Sequence, residues 1–230
     1  MESSINCAEE LGFSPVLYRS PLDLAYDLRG AEQLYLDMFD DPKGLERLLD
    51  KCAEAIIGLD RLIRDRIRLL RDGPGGAMSM SLPAPTMLFN GNPIDLISAE
   101  MVEQFDRTPM EKVTDYAGSA YFHHHSIGVR HAEIVRRMRG LTVQMMAQDP
   151  NGPLLTETVD EKVVETSLKV PIVLRFLRAL HREKLIDFPS RWKSLLDRTT
   201  HGRFIFDLIL DAPEECRYYV ESVRKASNLY

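Results

Sequence analysis

Three consecutive histidines, His123, His124 and His125, form the sharpest chemical cluster in the sequence. They close a short apolar run, Ala120 to His124, that reads as a β-strand. Side chains alternate along a strand, so His123 and His125 share one face and His124 points away. Two imidazoles on one face can share a metal ion. They can also hydrogen-bond locally, or to a polar group of a substrate. A usual catalytic metal site takes at least three protein ligands. Asp149 follows a second apolar run, Leu141 to Ala147, just ahead of Pro150. It can act as a general base or orient a histidine ring. It can equally bond its own backbone in the turn Asp149-Pro150-Asn151-Gly152. Gln144, inside that run, is a polar residue in an apolar strand and needs a partner, protein or substrate. Arg175 ends the run Ile172 to Phe176, where its planar fork suits a substrate carboxylate or an ion pair. Asp207 follows the run Arg203 to Phe206 and is expected at the same strand ends.

These positions need a frame. The sequence alternates a short apolar run with an amphipathic helix six times. The runs are Ser14 to Tyr18, Ala77 to Leu82, Ala120 to His124, Leu141 to Ala147, Ile172 to Phe176 and Arg203 to Phe206. Runs that are apolar throughout suit strands buried on both faces, and the alternation predicts a parallel sheet covered by helices. A long helix is expected from Pro42 to about Arg71, with Asp41 as its cap. Its buried stripe is Leu45, Leu48, Leu49, Cys52, Ile56, Leu59, Ile63, Ile67 and Leu70. The segment up to Asp95 reads as a Pro- and Asn-rich loop. Ser98 caps a helix to about Arg107, and Thr108-Pro109-Met110-Glu111 predicts a break and a second helix ending at Gly118. Thr158-Val159-Asp160-Glu161 is a further capping box. The last helix, from Pro213, is expected to bury Cys216, Val220 and Val223. Arg61, Arg64, Arg66, Arg68 and Arg71, interleaved with Asp60, Asp65 and Asp72, read as a solvated helix face.

Two architectures fit this order: an open doubly wound sheet, or part of a β/α barrel. No GxGxxG or GxxxxGK[ST] follows any run, which argues against nucleotide binding. Six units in 230 residues spend about 38 each, and eight at that rate need about 300, within the usual range of such barrels. The chain is therefore expected to be a single domain, 1–230, about two units short of closure.

Composition excludes several function classes. Apolar residues make up 44% and charged residues 28%, as in a globular protein. The net charge of −6 disfavours a nucleic-acid partner. Cys7, Cys52 and Cys216 form no CxxC pair and no disulfide framework. No run approaches the roughly 18 apolar residues of a membrane span, and the first residues lack a basic, apolar export signal. A cytoplasmic protein is expected, with no membrane partner.

The segment Tyr18-Arg-Ser-Pro21-Leu-Asp-Leu-Ala-Tyr26-Asp-Leu-Arg-Gly30, followed by Leu36-Asp-Met-Phe39-Asp-Asp-Pro42, resembles the uroporphyrinogen decarboxylase superfamily. Ile97-Ser-Ala-Glu-Met-Val-Glu-Gln-Phe105 is similar to the family's "lsP-x-x-f-x-e-F" helix. Tyr121-Phe-His123-His-His125-Ser-Ile-Gly128 stands where the family often has "H-x-C-G". The resemblance spans about Phe13 to Val223 and implies a TIM-type β/α barrel whose N-terminal units are missing. The family holds porphyrinogen decarboxylases and methyltransferases that serve corrinoid proteins and coenzyme M. The decarboxylases take an Arg-rich loop and a catalytic Asp from the units absent here, so the resemblance implies the methyltransferase type. In those enzymes the H-x-C pair helps bind zinc, which activates a thiol. His123 and His125 match that pair in part; Arg203-Phe-Ile-Phe-Asp207 lacks the family's further Cys. The implied partners are a small-molecule substrate or a corrinoid protein, with Tyr26 near a substrate-contacting tyrosine of the decarboxylases. Porphyrinogen decarboxylation in haem biosynthesis is the alternative reaction. A non-catalytic or split-barrel binding subunit is the alternative of another class, as a homo-oligomer or with a partner chain completing the barrel.

Overall fold

A computed structural model describes residues 17–66, 75–77, 80–82, 86–149, 152–176, 188–209 and 213–226. Cys7, Ile67, Arg68, Leu70, Arg71 and Asp72, and the Pro150-Asn151 turn, lie outside the described residues. Strand β1 (Leu17–Arg19) leads into helices α1 (Pro21–Arg29), α2 (Ala31–Asp40) and α3 (Pro42–Arg66). Strands β2 (Gly75–Ala77) and β3 (Met80–Leu82) follow, then β4 (Thr86–Asn90). After β4 come α4 (Ala99–Met101), α5 (Thr108–Ala117), β5 (Ser119–His125), α6 (Ala132–Arg136) and β6 (Leu141–Ala147). The chain continues through α7 (Leu155–Thr158), α8 (Glu161–Lys169), β7 (Ile172–Phe176), α9 (Phe188–Thr199), β8 (Phe204–Leu208) and α10 (Pro213–Ala226).

Six strands form one all-parallel sheet in the order β1-β4-β5-β6-β7-β8. The order follows the chain without a reversal. Its second member is not the expected Ala77 to Leu82. Gly75–Ala77 and Met80–Leu82 instead form a separate antiparallel pair, β2 with β3, and the sheet takes Thr86–Asn90 from the segment read as a loop. Thr-Met-Leu-Phe is a short apolar run hidden between turn-forming residues. Its ladder to β1 and β5 is long-range and has no local signature.

The two faces of the sheet differ. Phe89, Phe122 and Ala120 pack with residues of α1 to α5 in one core cluster. Met146, Ile172, Leu174 and Phe176 pack with Trp192, Leu195 and Tyr219 in a second, where Trp192 meets Phe176, Phe206 and Tyr219 edge to face. The alternate strand residues Leu88, Tyr121, Met145 and Val173 form a third cluster of strand residues only. Among the described residues, helices therefore supply core to one face of the sheet.

Other expectations need correction. The helix does not break at Thr108-Pro109: α4 runs through a π-helical turn, Val102–Arg107, straight into α5. Pro109 has no N–H for the carbonyl four residues back, and its ring crowds that carbonyl; the wider turn upstream keeps the helix on course. Asp160, not Thr158, caps α8, accepting from the Val163 N–H at 3.0 Å. Gly118 caps α5 at positive φ, as expected of glycine at a helix end, whereas α6 ends at Arg136, four residues ahead of Gly140, whose positive φ belongs to the turn into β6. In α3, Leu59 is exposed, whereas Asp60 is buried and accepts from Tyr18 Oη, Tyr116 Oη and Arg64 Nε at 2.7, 2.9 and 2.6 Å. That carboxylate pins α3 to β1 and α5, so this charged stretch is no simple solvated face. Cys216 and Val220 are exposed, and only Val223 packs on the core: α10 covers one edge of the sheet and turns its other side to water. No helix among the described residues is long and apolar enough to cross a membrane.

Candidate active site

The site is built where β4, β5 and β6 end. Beyond β4 the chain turns through Gly91 into a short 3-10 helix, Asn92–Leu96, which carries Asp95 over the end of β5. The Gly91 N–H donates to the His123 carbonyl at 2.8 Å. A Cβ on Gly91 would stand 2.1 Å from the Phe122 ring, so only glycine fits this crossing. Arg130 clamps the same turn, donating to the carbonyls of Asp95, Ile97 and Ile127 at 2.9, 3.2 and 2.8 Å.

Asp95 is buried and takes the backbone N–H of His125 at 3.1 Å through Oδ2. Its carboxylate also faces His124 Nδ1 at 3.6 Å and His125 Nδ1 at 3.5 Å. Burial alone would raise the Asp95 pKa; the bonds from His124 and His125 outweigh it and hold the carboxyl below its ordinary range. Asp149 Oδ2 approaches the same His125 Nδ1 at 3.7 Å. Ser126 Oγ accepts the Asp149 N–H at 3.1 Å, and Gln148 ties this corner to Leu155 by accepting its N–H at 2.7 Å. His125 thus has two carboxylates on its Nδ1 side. Its Nε2 points the other way, 3.3 Å from His123 Nε2, with the rings perpendicular at 89°. Burial, then the neighbouring charges of His125 and His124, lowers the His123 pKa to about 3, so that ring stays neutral.

His125, Ala147, Arg175 and Asp207 stand side by side in one register row across β5 to β8. Arg175 Nη1 meets Asp207 Oδ2 at 3.4 Å. Burial raises the Asp207 pKa and the Arg175 charge opposes that rise. In this row the side chains of His125, Arg175 and Asp207 are 27, 16 and 14% exposed, so water reaches it; His123, one step deeper, is almost covered.

The structure therefore brings His123, His125 and Asp149 together, with Arg175 and Asp207 along the same row. Gln144 is elsewhere: it registers with Phe122 on the helix-covered face and meets His124. Tyr26 sits in α1, half-buried, and packs edge-on against Tyr35. Burial, with the charges of Tyr26, Asp95 and Asp23, pushes the Tyr35 phenol up to about 12. Sequence reasoning missed Asp95, the residue that joins His124 and His125. An acid just past a strand end is the signal, and it is readable only once β4 is recognised as a strand.

No family model matches the chain, and no curated protein matches it. The zinc implied by the resemblance can be tested on the geometry alone. Two tetrahedral zinc ligands at about 2.0–2.1 Å stand about 3.3–3.4 Å apart, which is the His123–His125 Nε2 separation. Both carboxylates, however, lie on the Nδ1 side of His125. Among the described residues no group of three or more His, Cys, Asp or Glu could hold a metal. The residues present make two corners of a zinc site and do not complete it.

Proposed function

We propose that the chain is a β/α-barrel enzyme of the uroporphyrinogen decarboxylase superfamily type that transfers a methyl group to a thiol, with His125 as its general base. The barrel reading is supported by strand order that follows the chain and by helix packing on one face. A doubly wound sheet reverses its order and covers both faces. The resemblance supplies the reaction class. The observation that carries the catalytic reading is His125, held with Nδ1 toward Asp95 and Asp149 and Nε2 on the helix-free face.

His125 Nε2 takes the proton of the acceptor thiol. The resulting imidazolium is stabilised by the two carboxylates on its other side. The thiolate forms the new S–C bond, and the donor, a methylated corrinoid or other methyl carrier, leaves with the electron pair of the broken bond. Arg175 and Asp207 border the same row and orient the polar end of the substrate.

Incubation with methylcobalamin and 2-mercaptoethanesulfonate, followed by mass spectrometry of the thiol, tests this. S-methylation is expected, with a loss of about 10²-fold or more in His125→Gln. No transfer, or full activity in that variant, would falsify the reading; consumption of uroporphyrinogen with release of CO₂ would favour the decarboxylase instead.

A specific observation favours a second reading, assembly at the β8 edge. Among the described residues β8 pairs only with β7, and Ile205, Ile209, Tyr218 and Val220 are exposed beside it. A clean monomer in sedimentation velocity sinks that reading.

A further inference from the structure

Gln144 is fully buried on the helix-covered face, across the sheet from His123 and His125. We infer that Gln144 is a positioning residue that acts on His125 from the opposite face, through His124 and Asp95. The inference rests on the base role proposed for His125.

Each link is a contact in the structure. Gln144 Nε2 lies 3.0 Å from His124 Nε2. An amide nitrogen only donates, so His124 Nε2 accepts and the ring proton sits on Nδ1. That Nδ1–H faces two acceptors, the His125 carbonyl at 3.2 Å and Asp95 Oδ1 at 3.6 Å. The other tautomer would set a lone pair against a carboxylate. Asp95 is thus drawn from one side by His124 and from the other by the His125 N–H at 3.1 Å. Between them its Oδ2 faces His125 Nδ1 at 3.5 Å. The proton of His125 is held on that nitrogen, which leaves the lone pair on Nε2, the atom 3.3 Å from His123 Nε2. Strand alternation makes the path possible: His124 and His125 are consecutive yet face opposite ways, and Asp95, beyond the strand end, reaches both.

The partners argue for a fixed direction. Gln144 registers between Phe122 and Ile172, both members of the helix-side core, and among the described residues its amide is the side-chain donor at His124 Nε2. Gln144→Met keeps the length of the side chain and removes the donor. His124 then loses what fixes its tautomer, and Asp95 loses a settled partner.

The test uses the full chain labelled with ¹⁵N-histidine. NMR of the wild-type protein is expected to show His124 as a single tautomer with its proton on Nδ1. Gln144→Met is expected to show both tautomers and to lower kcat for S-methylation roughly tenfold while KM stays within about twofold. A wild-type proton on Nε2 overturns the inference, because the amide would then accept rather than donate. So does a Gln144→Met protein whose His124 tautomer and kcat are unchanged. The tautomer is read without turnover and, for the wild type, without a variant. Absent methyl transfer with the expected tautomer therefore fails the base reading alone, and active enzyme with an unmoved tautomer fails this inference alone.

Discussion

Gly128 lies against Asp95 with no room for a methyl group: a Cβ there would stand 1.9 Å from Oδ1 and 3.1 Å from His124 Nδ1. The carboxylate that serves both His124 and His125 occupies the space a side chain would take. Gly128→Ala must displace either Asp95 or the turn after β5. The expected result is a loss of stability of roughly 1–3 kcal/mol, from overpacking and a misplaced buried carboxylate. Proton transfer by His125 should fall with it. Urea unfolding and the S-methylation rate check both; wild-type values in both would remove Asp95 from the site.

Asp106 gives a pH dependence with a definite sign. It is fully buried in the π turn, and burial, then the charge of Asp23, raises its pKa to about 8. The folded chain therefore keeps this proton where the unfolded chain has released it. Stability contributed through Asp106 should fall as pH rises from about 4 to about 8 and level off above, by an amount on the order of a few kcal/mol. Asp106→Asn should flatten that slope and be the more stable protein near neutrality. Denaturation midpoints across the window decide it, and parallel curves for the two proteins would show that Asp106 ionises freely.

Much of the frame was readable because it is local. β6 and β7 have the expected bounds, and β5 and β8 differ by a residue or two at an end, since each is a continuous apolar run closed by a turn. The approach of Asp149 to His125 followed from two adjacent strands ending side by side. β4 was not readable: its Met-Leu-Phe core sits among prolines and asparagines, and only pairing with β1 and β5 makes it a strand. With β4 hidden, Asp95 looked like a loop residue. Gln144 was correctly marked as needing a partner, but its face depends on register, and a polar residue on either face reads alike. In α10 the amphipathic period was visible, yet which side meets protein depends on where the sheet ends, so Cys216 was placed inside and is outside.

Tyr121 should tolerate loss of its hydroxyl. The ring is buried among Leu88, Met145 and Val173, and among the described residues Oη has no hydrogen-bond partner. Burial, modulated by Arg175 and Asp207, holds the phenol well above its ordinary pKa. Phenylalanine fills the same volume without an unpaired polar atom. Tyr121→Phe is expected to stabilise by about 1 kcal/mol, a rise of roughly 2–4 °C in Tm for a chain of this size. A clear drop in Tm would mean that the hydroxyl is bonded in the folded protein.

The two described thiols should react very differently. Cys216 is exposed on α10, whereas Cys52 is buried in α3 and burial pushes its pKa up to about 11. Reaction needs both access and thiolate, and Cys52 has neither while the protein is folded. In a Cys7→Ser background, a disulfide reagent such as DTNB should titrate one thiol rapidly and the second only after denaturant is added. The rate at the slow thiol then reports opening of the α3 packing, including the Tyr18–Asp60 bond that lies two turns further along the same helix. Two fast thiols in native buffer would place α3 outside the stable core and would undo the packing assigned to the helix-covered face.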